Sequence, residues 1–294
     1  MSRVKFLLSF LIIMGCQTNH YKDSIVLDNG VRVKFFEVST CDKNQDKRYA
    51  NFNISAKTKN GKLVFSSKYQ SLESVSSFYY DSLLTFGMGE LFEELCEGDS
   101  VLFSIPSEMF IKGIFHNNST IKFKSVNETD SLDVFLKFIS FNNDFDQYNF
   151  QQQLINRAKK KEAIMISEKR NEWSNKYLDI FNYDELFSIK VAQSHYDLTE
   201  KPDSVNDFIA INYLITDLND REIYKTKGNL NEYYDKSLND QLLDGFKILV
   251  DHYSIGDSIV AIMPSKMAFG KRGSLVNMIA PYTPLKVCLK IIQK

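Results

Sequence analysis

No apolar run in this sequence is long enough to cross a bilayer as a helix, which takes about 20 residues; the apolar stretch near its start covers only residues 6–14. A mature chain without a transmembrane helix is therefore expected. Charge of one sign is not in excess either: 36 basic residues face 37 acidic ones. That balance gives no footprint for nucleic acid or another polyanion. Histidine is sparse and scattered, at His20, His116, His195 and His252, and neither a His-Glu-x-x-His nor a Cys-x-x-Cys spacing occurs. No metal and no cofactor are expected on that pattern. There is no Gly-x-Ser-x-Gly nucleophile elbow. Gly270-Lys271-Arg272-Gly273-Ser274 lacks the full spacing of a phosphate loop. Cysteine is rare and irregularly spaced: Cys96 and Cys288 sit in apolar patterns and read as small core residues, Cys41 reads as a loop thiol, and a disulfide framework is not expected.

What is present begins with Arg3 and Lys5, followed by the short apolar stretch and by Ile13-Met14-Gly15-Cys16. Basic region, apolar region and small residue are the order of a secretory signal. The Gly15-Cys16 junction resembles the lipobox of bacterial lipoproteins. That resemblance implies that Cys16 becomes the acylated first residue and holds the chain to a membrane, since several acyl chains anchor far more firmly than one.

An internal repeat organises the rest. Gly98-Asp99-Ser100 leads at the same spacing to Pro106-Ser107-Glu108-Met109 as Gly256-Asp257-Ser258 does to Pro264-Ser265-Lys266-Met267. Leu132-Asp133-Val134-Phe135-Leu136-Lys137-Phe138-Ile139 matches Leu285-Lys286-Val287-Cys288-Leu289-Lys290-Ile291-Ile292. Each copy reads as a strand, a turn at Asn60-Gly61 or Asn219-Asp220, a second strand, a helix-length segment, a strand launched by the Gly-Asp turn, and an alternating terminal strand. One short helix on an antiparallel sheet is an α+β unit. Between the copies, residues 150–177 are rich in Lys, Glu, Gln and Ala, with Ile166, Trp173 and Tyr177 on one face, and read as a helical connector. The charged face of such a helix reads as solvated, with a spacer or dimer helix as the alternative.

The second copy resembles the FKBP-type peptidyl-prolyl isomerase domain. The resemblance rests on Ile262-Met263-Pro264-Ser265-Lys266-Met267-Ala268-Phe269-Gly270 and Met278-Ile279-Ala280-Pro281-Tyr282-Thr283-Pro284-Leu285, preceded by Gly245-Phe246 and Gly256. With the lipobox and the connector, the whole chain is similar to FKBP-type lipoproteins of the Bacteroidetes. The expected organisation is a signal peptide over residues 1–15, an anchor and tether over 16–48, a degenerate FKBP-like domain over 49–145, a connector over 146–206 and an isomerase domain over 207–294. Each domain would be an antiparallel sheet wrapped on a short helix.

By the same resemblance the proline pocket falls on Tyr213, Ile223, Tyr233, Leu242, Leu243, Phe246, Phe269, Ile279 and Val287, with the Leu243 N–H hydrogen-bonding a substrate carbonyl. Three positions depart from the family: Ile223 replaces an aromatic, Tyr224 a carboxylate, and Phe269 a tyrosine. The first copy departs further, with no Ala-aromatic-Gly after Met109 and Ser55 standing where the second has Tyr213. The resemblance implies a membrane-anchored isomerase acting on proline-containing exported polypeptides in the periplasm, on the outer or inner membrane. The competing reading is a binding module of a cell-envelope assembly, of the gliding or secretion kind, that has kept the fold and lost the rate.

Overall fold

The computed structural model describes residues 24–41, 48–81, 89–115, 130–192, 208–227, 231–235, 238 and 241–293. Cys16 and the signal lie outside the described residues. Strands are β1 (Ser24–Val26), β2 (Arg32–Glu37), β3 (Tyr49–Thr58), β4 (Leu63–Ser66), β5 (Ser76–Tyr79), β6 (Ser100–Pro106) and β7 (Ser131–Asn142). They are followed by β8 (Phe181–Tyr183), β9 (Leu186–Ala192), β10 (Phe208–Asp217), β11 (Glu222–Lys225), β12 (Glu232–Asp235), β13 (Ser258–Met263) and β14 (Leu285–Gln293). The α-helices are α1 (Ser67–Gln70), α2 (Gly89–Glu94), α3 (Ser107–Phe115), α4 (Asp144–Ser174) and α5 (Asp244–His252).

Two antiparallel sheets result. The first runs β1-β2-β6-β7-β3-β4 with β5 also on β3; the second runs β8-β9-β13-β14-β10-β11 with β12 also on β10. Adding seven to each strand of the first gives the second, so the fold is α+β in two copies of one topology. The repeat is larger than its sequence signature, because each sheet opens with a hairpin, β1–β2 or β8–β9, that the matched segments do not contain. A first domain starting at residue 49 therefore omits two of its strands, and a connector running to residue 206 takes in two strands of the second sheet.

The shared motifs have a common physical basis. Gly98 and Gly256 adopt left-handed backbone at φ +93° and +87°, a region closed to most side chains. The Asp99 and Asp257 carboxylates are buried and accept N–H bonds from Cys96 at 2.8 Å and Ser254 at 3.0 Å. The adjoining backbone closes onto the last strand through Gly98 N to Phe138 O and Gly256 N to Ile291 O. Both long strands alternate in and out of the sheet, so Ala50, Phe52, Ile54 and Ala56 of β3 enter one core and Ile211 and Ile215 of β10 enter the other.

Register corrects one expected equivalence. Ile54 pairs with Leu136 as Tyr213 pairs with Leu289, after a bulge at the same place in both strands. The Ser67 hydroxyl bonds both backbone groups of Ile54 as the Thr226 hydroxyl bonds both of Tyr213. Ile54, not Ser55, therefore stands where the second domain has Tyr213. A second correction concerns cysteine. Cys41 and Cys96 form a disulfide with their Cα atoms 5.5 Å apart, tying the irregular segment after β2 to the turn before β6; Cys288 stays free.

The connector helix α4 starts at an Asn143 cap that accepts the Asp146 N–H at 2.9 Å. It buries one stripe, Gln147, Leu154, Ala158, Ile166 and Trp173, spaced close to multiples of the helical repeat. Its N-terminal end joins the first domain, where Gln147 Oε1 accepts from Asn51 and Asn142 and Gln151 donates to Ser77. At the other end Trp173 packs edge-on to Phe187 at 5.1 Å, within a cluster that includes Ile166, Ile189, Leu218 and Ile262. The helix thus covers the outer face of the second sheet.

Candidate functional site

In the second domain the side chains of β10, β11, β12 and α5 converge on Tyr213. Its ring packs against Phe246 at 4.9 Å and beside Tyr224 at 5.4 Å. Phe246 is 2% exposed and belongs to the core with Leu242 and Val287, so it forms a floor. Ile223, Leu243 and Phe269 pack on the same core while staying partly exposed. Helix α5 lies close on β13 because Gly245 carries no side chain: a Cβ there would stand 2.4 Å from Met263 Cε.

Two expected positions change. Tyr233 points outward and is 64% exposed; its neighbour Tyr234 packs on the core and reaches the Tyr213 hydroxyl at 2.9 Å. Successive residues of a strand face opposite ways, so a slip of one in placing the tyrosine exchanges an inward for an outward side chain. Ile279 is buried, but in the loop spanning residues 264–284, where it forms an isolated bridge with Ser274.

Glu232 is the residue that sequence reasoning missed. Its carboxylate accepts hydroxyl bonds from Tyr213 at 2.8 Å, from Tyr234 at 2.5 Å, and from Tyr224. The carboxylate comes from β12, and the Tyr224 hydroxyl of β11 is bound to it. Burial raises the Glu232 pKa, but the three hydroxyls together outweigh it and hold the carboxyl below the ordinary 4.5. The phenols move the other way. Burial, then the bonds to Tyr234 and Glu232, raises Tyr213; burial and Glu232 raise Tyr234; the Glu232 bond raises Tyr224. The cluster is one anion ringed by neutral donors. The Glu-Tyr-Tyr sequence reads as an ordinary surface strand, and only the pairing of Tyr234 with Ile209 and of Glu232 with Ile211 turns it toward Tyr213.

Leu243 caps α5 with its carbonyl, which accepts from Phe246 N at 2.9 Å and Lys247 N at 3.2 Å. Among the described residues its own N–H donates to no group. No group of metal-ligating side chains occurs among the described residues, and His252 stacks on Phe181 instead. Tyr213, Phe246, Tyr224 and Tyr234 thus gather aromatic rings beside the single carboxylate of Glu232, which is ionised at neutral pH and accepts from three of their hydroxyls.

No protein-family model matches the chain, and no curated protein matches it. Its solved neighbours are FKBP-type isomerase structures. The crystal structure of a peptidyl-prolyl cis-trans isomerase from Pseudomonas syringae pv. tomato is 16% identical, covering 47% of this chain and 93% of that one, with a TM-score of 0.37. The three FKBP domains of wheat FKBP73 are 11% identical and cover 90% of this chain and 95% of theirs, at 0.32. The N-terminal domain of FKBP42 from Arabidopsis thaliana is 18% identical, covering 40% and 91%, at 0.34. At these values it is the strand order that carries the description of the fold.

Proposed function

We propose that the second domain binds proline-containing polypeptides at Tyr213 and Phe246 and catalyses rotation about the X-Pro bond, with the chain held in the cell envelope by lipid on Cys16. The reaction breaks no covalent bond; its barrier of about 20 kcal/mol is the resonance lost when the imide twists. Catalysis therefore means binding the twisted imide better than either planar form. An apolar aromatic wall suits this, because the twisted imide has less charge separation and loses less on leaving water. In this reading Phe246 is the floor under the proline ring, Tyr213 the wall, and the Leu243 N–H the donor to a substrate carbonyl.

The observation that carries the reading is the packing of Tyr213 on buried Phe246 with Ile223, Leu243 and Phe269 partly exposed on the same core. The Cys41–Cys96 bond supports an exported location, since disulfides persist in oxidising compartments. Proline binding without turnover is the second reading, and one observation favours it: the Tyr213 hydroxyl is already engaged by Glu232 and Tyr234. A protease-coupled isomerisation assay on residues 22–294 separates the two. Turnover that disappears in Phe246→Ala, with the variant still folded, supports the isomerase; peptide binding with no turnover leaves the binding module.

A further inference from the structure

The loop of residues 264–284 carries Phe269 and Ile279, and much of what fixes it lies outside it. At its start, Ser265 donates its N–H to Glu162 Oε1 at 2.6 Å and its hydroxyl to Glu162 Oε2 at 2.9 Å, both on helix α4. At its tip, Gln70 of the first domain donates from Nε2 to the Leu275 carbonyl at 2.8 Å. Gln70 is 5% exposed and is itself held, its Oε1 accepting the Ser66 N–H at 2.7 Å. Beside the tip, Arg221 donates to the Met278 carbonyl at 2.8 Å while its guanidinium lies 4.4 Å over the ring of Tyr69, again from the first domain.

These anchors are wired to the two pocket positions. Gly270 N bonds to Ser265 O, and Gly273 N bonds to Phe269 O, so displacing Ser265 displaces Phe269. Ile279 bridges Ser274 across the Leu275–Met278 turn that Gln70 and Arg221 hold. Met278 and Tyr282 sit at φ +52° and +58°, conformations that cost energy and persist where surroundings impose them. The interface itself is sparse: a cavity of about 220 Å³ separates the first domain, α4 and the second domain, lined by Tyr69, Glu162, Arg221 and Tyr282 among others. Phe269 and Ile279 pack within the second domain, and these few polar contacts are what ties their loop to the first domain and α4.

We propose that the first domain, which lacks the pocket residues, acts with α4 as a clamp on the 264–284 loop, and that Gln70 and Glu162 are positioning residues for Phe269 and Ile279. The clamp stands on contacts alone; its effect on proline turnover rests on the isomerase reading. In the full mature chain, hydrogen exchange of the Gly270, Gly273, Ile279 and Tyr282 amides is compared among wild type, Gln70→Ala and Glu162→Gln, two variants that release opposite ends of the loop. Loss of one bond to a charged group at Glu162 corresponds to about a tenfold or greater rise in loop opening, with the amides of β13 and β14 unchanged. Where wild type turns over a proline peptide, kcat/KM falls in the same variants while the melting temperature holds. Loop exchange unchanged in both variants overturns the clamp whatever the activity. Faster loop exchange in a chain that does not isomerise proline upholds the clamp and removes the isomerase reading.

Discussion

Replacing Cys41 and Cys96 together by serine removes a crosslink between residues 55 apart in sequence. A loop of that length gives about 4 kcal/mol of unfolded-state entropy in the chain-closure relation. For a domain the size of the first sheet, roughly 3–6 °C of melting temperature go with each kcal/mol, so its transition falls by roughly 12–24 °C. The single tryptophan makes the loss assignable, because Trp173 sits against Phe187 of the second domain. Far-ultraviolet circular dichroism should show an early transition in the variant and in reduced wild type, while Trp173 fluorescence keeps its midpoint. Thiol titration of unfolded Cys16→Ser protein should find one reactive cysteine, Cys288. Three reactive thiols, or a first-domain transition indifferent to reductant, would refute the crosslink and with it the support it lends to an oxidising compartment.

Trp173→Ala empties the contact between α4 and the second sheet and should cost about 3–5 kcal/mol, read as a lowered denaturation midpoint; a change below 1 kcal/mol would mean that the helix does not cover the sheet as described. Because the folded Glu232 pKa is depressed, its stabilisation is fully present above the ordinary 4.5 and is lost as pH falls through the lower folded value. Denaturant midpoints of wild type and Glu232→Gln should therefore differ at neutral pH and converge in acid, and parallel curves would contradict the network. Tyr213, Tyr224 and Tyr234 have raised folded pKa values and Tyr49 is pushed up to about 12 by its bond to Tyr79. Their contribution holds below pH 10 and is lost as pH rises beyond it, so ultraviolet titration of the folded chain should lag behind that of the unfolded one.

The duplication was legible because its markers are local. A left-handed glycine beside a buried aspartate admits few substitutes, and the terminal strand repeats its alternation residue by residue. The hairpins β1–β2 and β8–β9 were not legible, since short edge strands with unrelated side chains leave no common pattern. Phe246 and Tyr213, which meet in the structure, were picked out by the resemblance to the family's pattern, whereas that pattern put the next tyrosine at Tyr233 and pairing with β10 turns Tyr234 inward instead. Ile54 was hidden because the copies differ by one residue in length between the long strand and the Gly-Asp turn, so the offset carried back from the turn lands on Ser55. Glu232 and the partner of Cys41 emerge only when distant strands meet, one across the hydroxyls of three tyrosines and the other across 55 residues.

The central claim, an isomerase site built on Tyr213 and Phe246, is tested most directly by two-dimensional exchange nuclear magnetic resonance on an Ala-Leu-Pro-Phe peptide. Uncatalysed exchange takes tens to hundreds of seconds. With catalytic amounts of the mature chain, cis–trans cross-peaks should appear within a second of mixing and vanish with folded Phe246→Ala. Peptide resonances that neither shift nor exchange in the presence of the wild-type chain would contradict the account.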